Sequence, residues 1–435
     1  MPALSQLSFG LPPREGGLIA KKYELANGLR VILLRDTSAP VVAFHTWFRV
    51  GSRNEREGRT GIAHLFEHLM FNQTETLPPG EFDRRIEEVG GETNAATWVD
   101  WTFYMDSAPN TALPMLIELE AERMHRLTLG HDEVESEREV VANERRFRVD
   151  DSVDGFLAEE LYKRAFEKHP YHWPTIGWMK DIESITIDDC REFYKTYYAP
   201  NNATLVLVGD FEESPTLALV EKAYGPIARQ PIAEEHTVVE PTQLAPRRAE
   251  FKKAVAAERL QIGWHAAGAG DLDHSALELV AEILTGGSSS RLHRELVVEK
   301  EIAIAVSASV APFRDPGLFE MSVSMVRGHE VEEAEALIET ALIALANDGP
   351  STAELEGARA RLLTRFWVAL RPQNGKAEGL GQAEITLGDY RRAFEPPQRF
   401  AALDADAVRR AVGMYLVPAH RTTVVARPRK KGTKE

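Results

Sequence analysis

Two histidines and a glutamate stand within the five-residue segment HLFEH, at residues 64–68. On a helix, residues four apart share a face, so His64 and His68 could both reach one zinc ion at about 2.0–2.1 Å. Glu67 projects towards the same face, where a carboxylate could take a proton from water during peptide hydrolysis. This order, H-x-x-E-H, is the inverted form of the zincin motif. The segment predicts a zinc site that supports metal-assisted hydrolysis.

The competing interpretation is a helix whose polar residues face solvent. The context favours the metal, because apolar residues surround the three polar ones: Leu65, Phe66, Leu69 and Met70. Burying two imidazoles and a carboxylate without a partner would be costly, and a bound metal removes that cost.

A catalytic zinc ion takes three protein ligands and leaves a fourth position for water. The acidic segment DEVESEREVVANERRF offers candidates for the third ligand. Glu137 and Glu144 are seven residues apart, two helical turns, so they share one face with Val140 and Val141. Spacing alone leaves both glutamates open as the third ligand.

Strands and helices of similar length recur along the chain. We predict strands at residues 23–34 (interrupted by the hairpin-type turn Asn27-Gly28), 41–50, 93–105, 203–208 and 259–264. We predict helices at residues 59–71, 80–89, 113–127, 132–147 and 276–284. The fold class is therefore α+β, with two similar domains related by internal duplication, each a mainly antiparallel sheet packed with helices.

The domain boundary is predicted where the apolar periodicity ends, in the proline-rich and polar residues 225–248. We assign residues 18–228 to an N-terminal zinc-binding catalytic domain and residues 229–245 to a linker. Residues 246–428 then form a homologous C-terminal domain without a metal site, because the second half has no His-x-x-Glu-His segment.

Composition excludes several classes of protein. The net charge of −16 over 435 residues argues against a nucleic-acid partner. Apolar runs stay well below the roughly 20 residues of a membrane span, so no membrane association is expected. Cys190 is the single cysteine, so the chain has no internal disulfide, and we expect it to pack as a small apolar residue. The N-terminus lacks the pattern of a secretory signal, so we expect a cytoplasmic protein, or a periplasmic one if a signal was removed.

The motifs, taken in order, resemble the pitrilysin/insulinase family of zinc metallopeptidases. The likeness is strongest to its shorter branch, which includes mitochondrial processing peptidase and related bacterial proteins. It covers nearly the whole chain and rests on LANGLRVIL, GSRNE, GIAHLFEHLMFNQT, NAATWVDWTFY, EREVVANERR, HPYHWPTIG, FYKTYYAPNNATLVLVGDF and TGGSSSRLHREL.

The resemblance implies a function and a set of site residues. His64, His68 and Glu144 would hold one Zn²⁺ per chain, with Glu67 as general base. Glu137 matches the family's additional glutamate, which belongs to the catalytic set because it orients the site without binding the metal. The protein would be a zinc metalloendopeptidase subunit that hydrolyses extended peptides.

The resemblance also implies a substrate strand. The segment Asn94-Ala95-Ala96-Thr97 matches the edge strand on which the family's substrate backbone lies. Physical chemistry agrees, because an extended peptide can add to an exposed sheet edge through main-chain hydrogen bonds. For Asn94 the competing interpretation is an ordinary turn residue.

One departure from the family pattern concerns the second half. Members with a complete site carry an arginine and a tyrosine at positions that fall here on Val297 and Ile304, and neither can donate a hydrogen bond to a substrate carbonyl. In the family such a chain pairs with a homologous subunit that supplies Arg and Tyr and lacks zinc ligands, which predicts a heterodimer. The alternatives are a self-sufficient homodimeric peptidase, in which Arg291 or another group serves, and a non-proteolytic core subunit of a larger complex. The intact HLFEH segment and both distal glutamates argue against the core subunit.

Overall fold

The computed structural model describes residues 3–9, 17–232 and 238–429. They fold into two compact units. The first unit is drawn from Met1–Glu144, Pro174–Thr237 and Val368–Phe394. The second unit is drawn from Arg145–Trp173, Val238–Trp367 and Glu395–Glu435.

Strands and helices are numbered in chain order. Strands β1–β12 are Ser5–Phe9, Leu18–Glu24, Arg30–Arg35, Val41–Phe48, Glu92–Thr97, Thr102–Pro109, Ala203–Gly209, Arg247–Lys253, Arg259–His265, Ala303–Val310, Leu318–Met325 and Arg421–Pro428. Helices α1–α14 are Ile62–Leu69, Glu81–Glu88, Leu113–Arg126, His131–Arg145, Val153–Ala165, Met179–Ser184, Ile187–Tyr197, Glu213–Tyr224, Leu272–Thr285, Val331–Asp348, Thr352–Ala369, Gln373–Leu387, Pro396–Ala402 and Ala405–Tyr415. Two π-helical turns follow α4 and α9, at Arg146–Asp150 and His293–Glu299.

The two sheets share one topology. The first sheet has the strand order β1-β2-β3-β7-β4-β6-β5, and the second has the order β10-β11-β9-β12-β8. Read from the other side, the second sheet repeats the five strands β3-β7-β4-β6-β5 of the first. The directions agree as well, because β3–β7 and β8–β12 are the parallel pairs and the other pairs are antiparallel. This repetition confirms the prediction of an α+β fold with two similar, mainly antiparallel halves.

Each unit contains one helix from the opposite half of the chain. Helix α12 packs on strands β4 and β7 in the first unit, and α5 packs on β9 and β12 in the second. The contact of α12 is close at Gly381, where an added Cβ would lie 2.1 Å from the indole nitrogen of Trp47. The homologous-domain limits 18–228 and 246–428 stay a prediction, and part of the linker, residues 233–237, lies outside the described residues.

The segment 93–105, predicted as one strand, is two strands joined by a tight turn. Strands β5 and β6 pair antiparallel, with Ala95 opposite Tyr104. The turn is closed by the amide of Trp98, which donates to the carbonyl of Trp101 at 2.9 Å. The prediction of one continuous strand was wrong because both arms carry strand-forming residues and no Gly or Pro marks the turn.

The large core of the first unit lies between its sheet and helices α1, α2 and α3. Cys190 is fully buried on α7 and contributes to this core, and burial raises the pKa of its thiol to about 12. Among the helices of the described residues, none has the length and apolar character needed to cross a membrane.

Candidate metal centre

Helix α1 is fixed at its N-terminus by a buried carboxylate and a glycine. Glu55 accepts hydrogen bonds from the amides of Gly61 and Ala63, both at 2.9 Å, which satisfies two donors that the first helical turn leaves unpaired. Gly61 has φ +90°, and a Cβ there would meet the carbonyl oxygen of Ile176 at 2.5 Å. The local sequence thus sets where α1 starts and therefore which way its side chains face.

The two faces of α1 have different surroundings. Leu65, Phe66 and Leu69 are fully buried in the core of the first unit. His64 is 8% exposed, and Glu67 and His68 are half-buried. Both histidines face Glu144 of α4. The apolar face therefore anchors the helix, and the polar face is left to meet another element.

Helix α4 brings Glu144 to both histidines. The Glu144 Oε2 atom lies 3.6 Å from Nε2 of His64 and 3.4 Å from Nε2 of His68. The two imidazole rings are 5.0 Å apart between centroids. Ligands on a tetrahedral zinc ion at about 2.0–2.2 Å are separated by roughly 3.3–3.6 Å. These three residues bring one ligand atom each within 4.8 Å of the others, and no second such cluster of His, Cys, Asp or Glu occurs in the described part of the chain.

Glu137 occupies a different place from Glu144. Its Oε2 atom lies 3.5 Å from Nδ1 of His68, the ring nitrogen opposite the one that faces Glu144. Its Oε1 atom accepts a hydrogen bond from the side-chain amide of Asn72 at 3.3 Å. Glu144 thus lies with the two histidines in one cluster, whereas Glu137 contacts His68 from outside it.

The electrostatics of the cluster favour a cation. Burial acts to lower the pKa of His68, but its contacts with Glu137 and Glu144 and the charge of Glu67 outweigh burial and raise that pKa to about 9. The contact with His68 in turn lowers the pKa of Glu137. Three carboxylates that stabilise a proton on one imidazole would stabilise a divalent cation in the same place. The donor set, two imidazoles and a carboxylate, is the kind that zinc takes in catalytic sites.

Glu67 stands one helical turn from His64 on the same face of α1. It is half-buried, and its charge contributes to the raised pKa of His68. A carboxylate in this place adds negative charge beside the two imidazoles.

The two valines expected beside Glu137 and Glu144 on α4 differ in burial. Val141 is fully buried in the core, but Val140 is 46% exposed. The 3.6-residue period places Val140 and Val141 about 50° to either side of the line through Glu137 and Glu144. The burial of Val141 therefore shows which flank of this face packs on the core, and the exposure of Val140 shows which flank faces solvent.

The predicted substrate segment lies on an edge. Asn94, Ala95, Ala96 and Thr97 belong to β5, which pairs with β6 on one side. In the described residues no strand lies on the other side of β5. Asn94 is exposed and the other three side chains are half-buried, so Asn94 is a strand residue and not a turn residue. Strand β5 also lies beside α1, which carries His64 and His68.

The residues at the departure from the family pattern lie in the second unit. Ile304 is on β10 and 63% exposed, and Val297 packs half-buried against the second core. Arg291 makes a two-pronged ion pair with Glu354, with N···O distances of 2.6 and 2.9 Å. Its guanidinium is thus engaged within the second unit.

Two contributors to the site escaped the sequence analysis. Glu55 caps α1 from a position six residues before Gly61, and Asn72 reaches Glu137 from the turn after the helix. Both stand close to HLFEH in the chain, inside segments that the motifs GSRNE and GIAHLFEHLMFNQT include. Their roles depend on which way the flanking turns point, so residue type alone does not reveal them.

Comparison with known proteins places the chain in a family. The profile of the insulinase family (peptidase family M16) matches residues 30–177, and that of the peptidase M16 inactive domain matches residues 184–362. The zinc protease PqqE of Helicobacter pylori is 31% identical over 414 residues, covering 93% of this chain and 92% of that protein. The chain therefore belongs to peptidase family M16.

Two further comparisons refine this placement. A protease from Helicobacter pylori of known crystal structure superimposes with a TM-score of 0.90 at 31% identity, covering 94% of this chain and 99% of that one. The probable mitochondrial-processing peptidase subunit beta of Arabidopsis thaliana is 24% identical over 406 residues, covering 90% of this chain and 75% of that protein. The chain is a family member similar to mitochondrial processing peptidase, which confirms the resemblance drawn from the motifs.

Proposed function

We propose that this chain is a zinc-dependent endopeptidase subunit that hydrolyses extended peptides. The observation that carries the proposal is the approach of Glu144 to within 3.6 Å of His64 and 3.4 Å of His68. The names of its relatives support the metal, since the Helicobacter pylori protein is called a zinc protease. We propose one Zn²⁺ per chain, held by these three side chains.

The chain's own residues divide the chemistry among them. When bound, zinc would polarise the scissile carbonyl as a Lewis acid and acidify a water molecule. Glu67 would accept the proton of the attacking water on its carboxylate and deliver it to the departing amine nitrogen. Glu137 would hold the ring of His68 through Nδ1 and so fix which nitrogen is presented to the metal.

We propose that the substrate binds as an added strand on β5. The free edge of this strand offers main-chain donors and acceptors to an extended peptide, along Asn94, Ala95, Ala96 and Thr97. The position of β5 beside α1 would bring such a peptide close to His64 and His68. A compact folded domain has no free backbone to offer and would be a poor substrate.

We propose further that a homologous subunit, itself without zinc ligands, supplies the Arg/Tyr pair. Val297 and Ile304 support this, because neither side chain can stabilise a developing oxyanion. The pairing of Arg291 with Glu354 argues against Arg291 as a substitute donor. The Arabidopsis relative is named as one subunit of a peptidase, which is consistent with a heterodimer.

Two other functions remain to be compared with this one: a self-sufficient homodimeric peptidase and a non-proteolytic core subunit of a larger complex. A peptidase is favoured over a core subunit by the cluster of His64, His68 and Glu144, because a non-catalytic subunit does not require a metal site.

The deciding experiment measures hydrolysis of an internally quenched peptide by the zinc-loaded chain, with and without a homologous Arg/Tyr-bearing subunit. We expect little activity from the chain alone and saturation at equal stoichiometry with the partner. Full activity of the isolated chain would favour the homodimer. Zinc loading without activity under any pairing would favour the core subunit. A cytoplasmic location stays a prediction, with the periplasm as alternative, and cell fractionation tests it.

A further inference from the structure

We infer that Asn72 is a positioning residue that acts on the metal site through Glu137. The inference rests on the proposed zinc site and deepens it. The geometry is a relay in which the Asn72 amide holds Oε1 of Glu137 at 3.3 Å, and Oε2 of Glu137 holds Nδ1 of His68 at 3.5 Å. The opposite nitrogen of His68, Nε2, then faces Glu144 at 3.4 Å.

The relay divides the two oxygens of one carboxylate between two donors. An ionised carboxylate only accepts hydrogen bonds, so Asn72 must present its amide nitrogen and His68 must present a protonated Nδ1. With Oε1 held by Asn72, the carboxylate of Glu137 cannot rotate freely about its last bond. Its remaining oxygen therefore stays directed at His68, which fixes the tautomer that leaves Nε2 available to a metal.

The backbone around Asn72 is rigid enough to serve as an anchor. The amide of Phe71 donates to the carbonyl of His68 at 3.0 Å, and the amide of Asn72 donates to that of Leu69 at 3.1 Å. These bonds continue the last turn of α1, so Asn72 is held in place relative to His68. One residue further on, the carbonyl of Gln73 accepts from the amide and hydroxyl of Thr128, each at 3.1 Å. Hydrogen bonds to backbone carbonyls thus hold the turn on both sides of Asn72.

The neighbouring residue provides a matched comparison. Gln73 donates its side-chain amide to Glu133 at 2.8 Å, one helical turn before Glu137 on α4. Both contacts join the same turn to the same helix, and both are amide-to-carboxylate bonds. Among the described residues, the carboxylates that contact His68 are those of Glu137 and Glu144. Gln73 should therefore help to hold α4 against the turn without influencing His68. Asn72 should help to hold α4 and also influence His68.

The test compares zinc affinity and thermal stability in Asn72→Ala and Gln73→Ala, by chelator competition and thermal unfolding of the metal-free proteins. We expect Asn72→Ala to weaken zinc binding about tenfold, at the lower end of the 10–100-fold range for residues that support a ligand. Gln73→Ala should keep the wild-type zinc affinity, whatever it costs in melting temperature. The visible spectrum of the cobalt-substituted protein should change with Asn72→Ala and not with Gln73→Ala.

A double-mutant cycle with Glu137→Ala distinguishes an effect of Asn72 on zinc affinity through Glu137 from an effect through the packing of the turn against α4. If Asn72 acts through Glu137, Asn72→Ala should have no further effect on zinc affinity once Glu137 is alanine. Equal and additive losses from Asn72→Ala in both backgrounds, or equal losses in the Asn72 and Gln73 variants, would overturn the relay and leave the zinc site standing. A wild-type chain that binds no zinc would overturn the proposed function and the relay together. Should Asn72→Ala fail to fold, Asn72→Asp, which keeps the volume and removes the donor, serves the same cycle.

Discussion

The Nε2 atom of His68 lies 3.4 Å from the Oε2 atom of Glu144, although the two residues are 144 − 68 = 76 positions apart in the chain. The first sits on α1 and the second near the end of α4. The proposed metal site is thus a property of two packed helices, and loss of a ligand from either helix should empty it.

The ligand set is tested by removing each member in turn. We expect His64→Ala, His68→Ala and Glu144→Gln to lose bound zinc, because two protein ligands hold the ion far less tightly than three. Zinc per chain, measured by elemental mass spectrometry after dialysis, should fall from one towards zero. Glu139→Gln, an exposed position on the same helix, should keep its zinc. A full equivalent of zinc in His68→Ala would show that the ion sits elsewhere.

The proposed role of Glu67 as general base is tested by a substitution that leaves the three proposed zinc ligands unchanged. Glu67→Gln should retain zinc and lose turnover by about 10²–10⁴, the usual contribution of a positioned proton acceptor. The change should appear in kcat, since the amide still fits the site. Steady-state hydrolysis by the assembled enzyme, beside the zinc content of the same sample, measures it. Normal turnover in this variant would remove Glu67 from the mechanism.

If the substrate binds as a strand added to β5, its affinity depends on main-chain hydrogen bonds to that strand. A peptide that is N-methylated at alternate residues facing β5 loses main-chain donors, so its KM should rise about tenfold or more. Methylation at the intervening residues, whose amides face away, should have little effect. A folded, protease-resistant domain containing the same sequence should stay uncut. Equal KM values for the two methylated peptides would exclude binding as a strand.

The missing Arg/Tyr pair can be restored within the chain. The double variant Val297→Arg/Ile304→Tyr should raise the activity of the isolated chain by about 10² or more, since each lost oxyanion donor typically costs 10²–10³. Ile304 is 63% exposed, so the larger ring can be accepted there without disturbing the second core. Val298→Arg, at a neighbouring position that is 54% exposed, is the matched control and should have no effect. If the double variant also stays inactive while the partner subunit activates it, the pair acts only in trans.

A buried histidine predicts how stability depends on pH. His45 on β4 is fully buried and lies 3.3 Å from Oδ1 of Asn374. Burial lowers its pKa to about 4, and the contact with Asn374 opposes this in part. Between about pH 6.5 and pH 4 the unfolded chain binds a proton at this residue that the folded chain does not, so stability falls as the pH falls. The loss contributed by His45 reaches about 3 kcal/mol at the acid end of that range.

Urea unfolding of the metal-free protein at pH 7, 6 and 5 measures this dependence. His45→Gln should flatten it relative to wild type, whereas His131→Gln, at a side chain that is 76% exposed, should not. His274, whose pKa burial also lowers to about 4, contributes the same slope to all three proteins and cancels in the comparison. An unchanged slope in His45→Gln would mean that His45 takes up its proton without unfolding.

Much of the fold follows from local patterns. The turn at Asn27-Gly28 joins β2 and β3 as an antiparallel hairpin, and the helices at α1, α3 and α4 begin and end within three residues of the predicted bounds. Such features depend on neighbouring residues, which the sequence displays directly. The turn between β5 and β6 was missed because it contains no Gly or Pro and three of its four residues, Trp98, Val99 and Trp101, are typical of strands.

In the candidate site, too, some features follow from local sequence and others depend on how the helices pack. The spacing of His64 and His68 by itself determined that both imidazoles share a face of α1, because helix geometry relates residues four apart. Spacing did not distinguish Glu144 from Glu137, since two turns of α4 carry both on one side. That choice depends on how α4 lies against α1, which is set by the packing of Val141 and the core beneath the two helices. Tertiary structure alone decided that Glu144 meets the Nε2 atoms and that Glu137, held by Asn72, meets Nδ1, because these contacts join segments whose distance no local rule specifies.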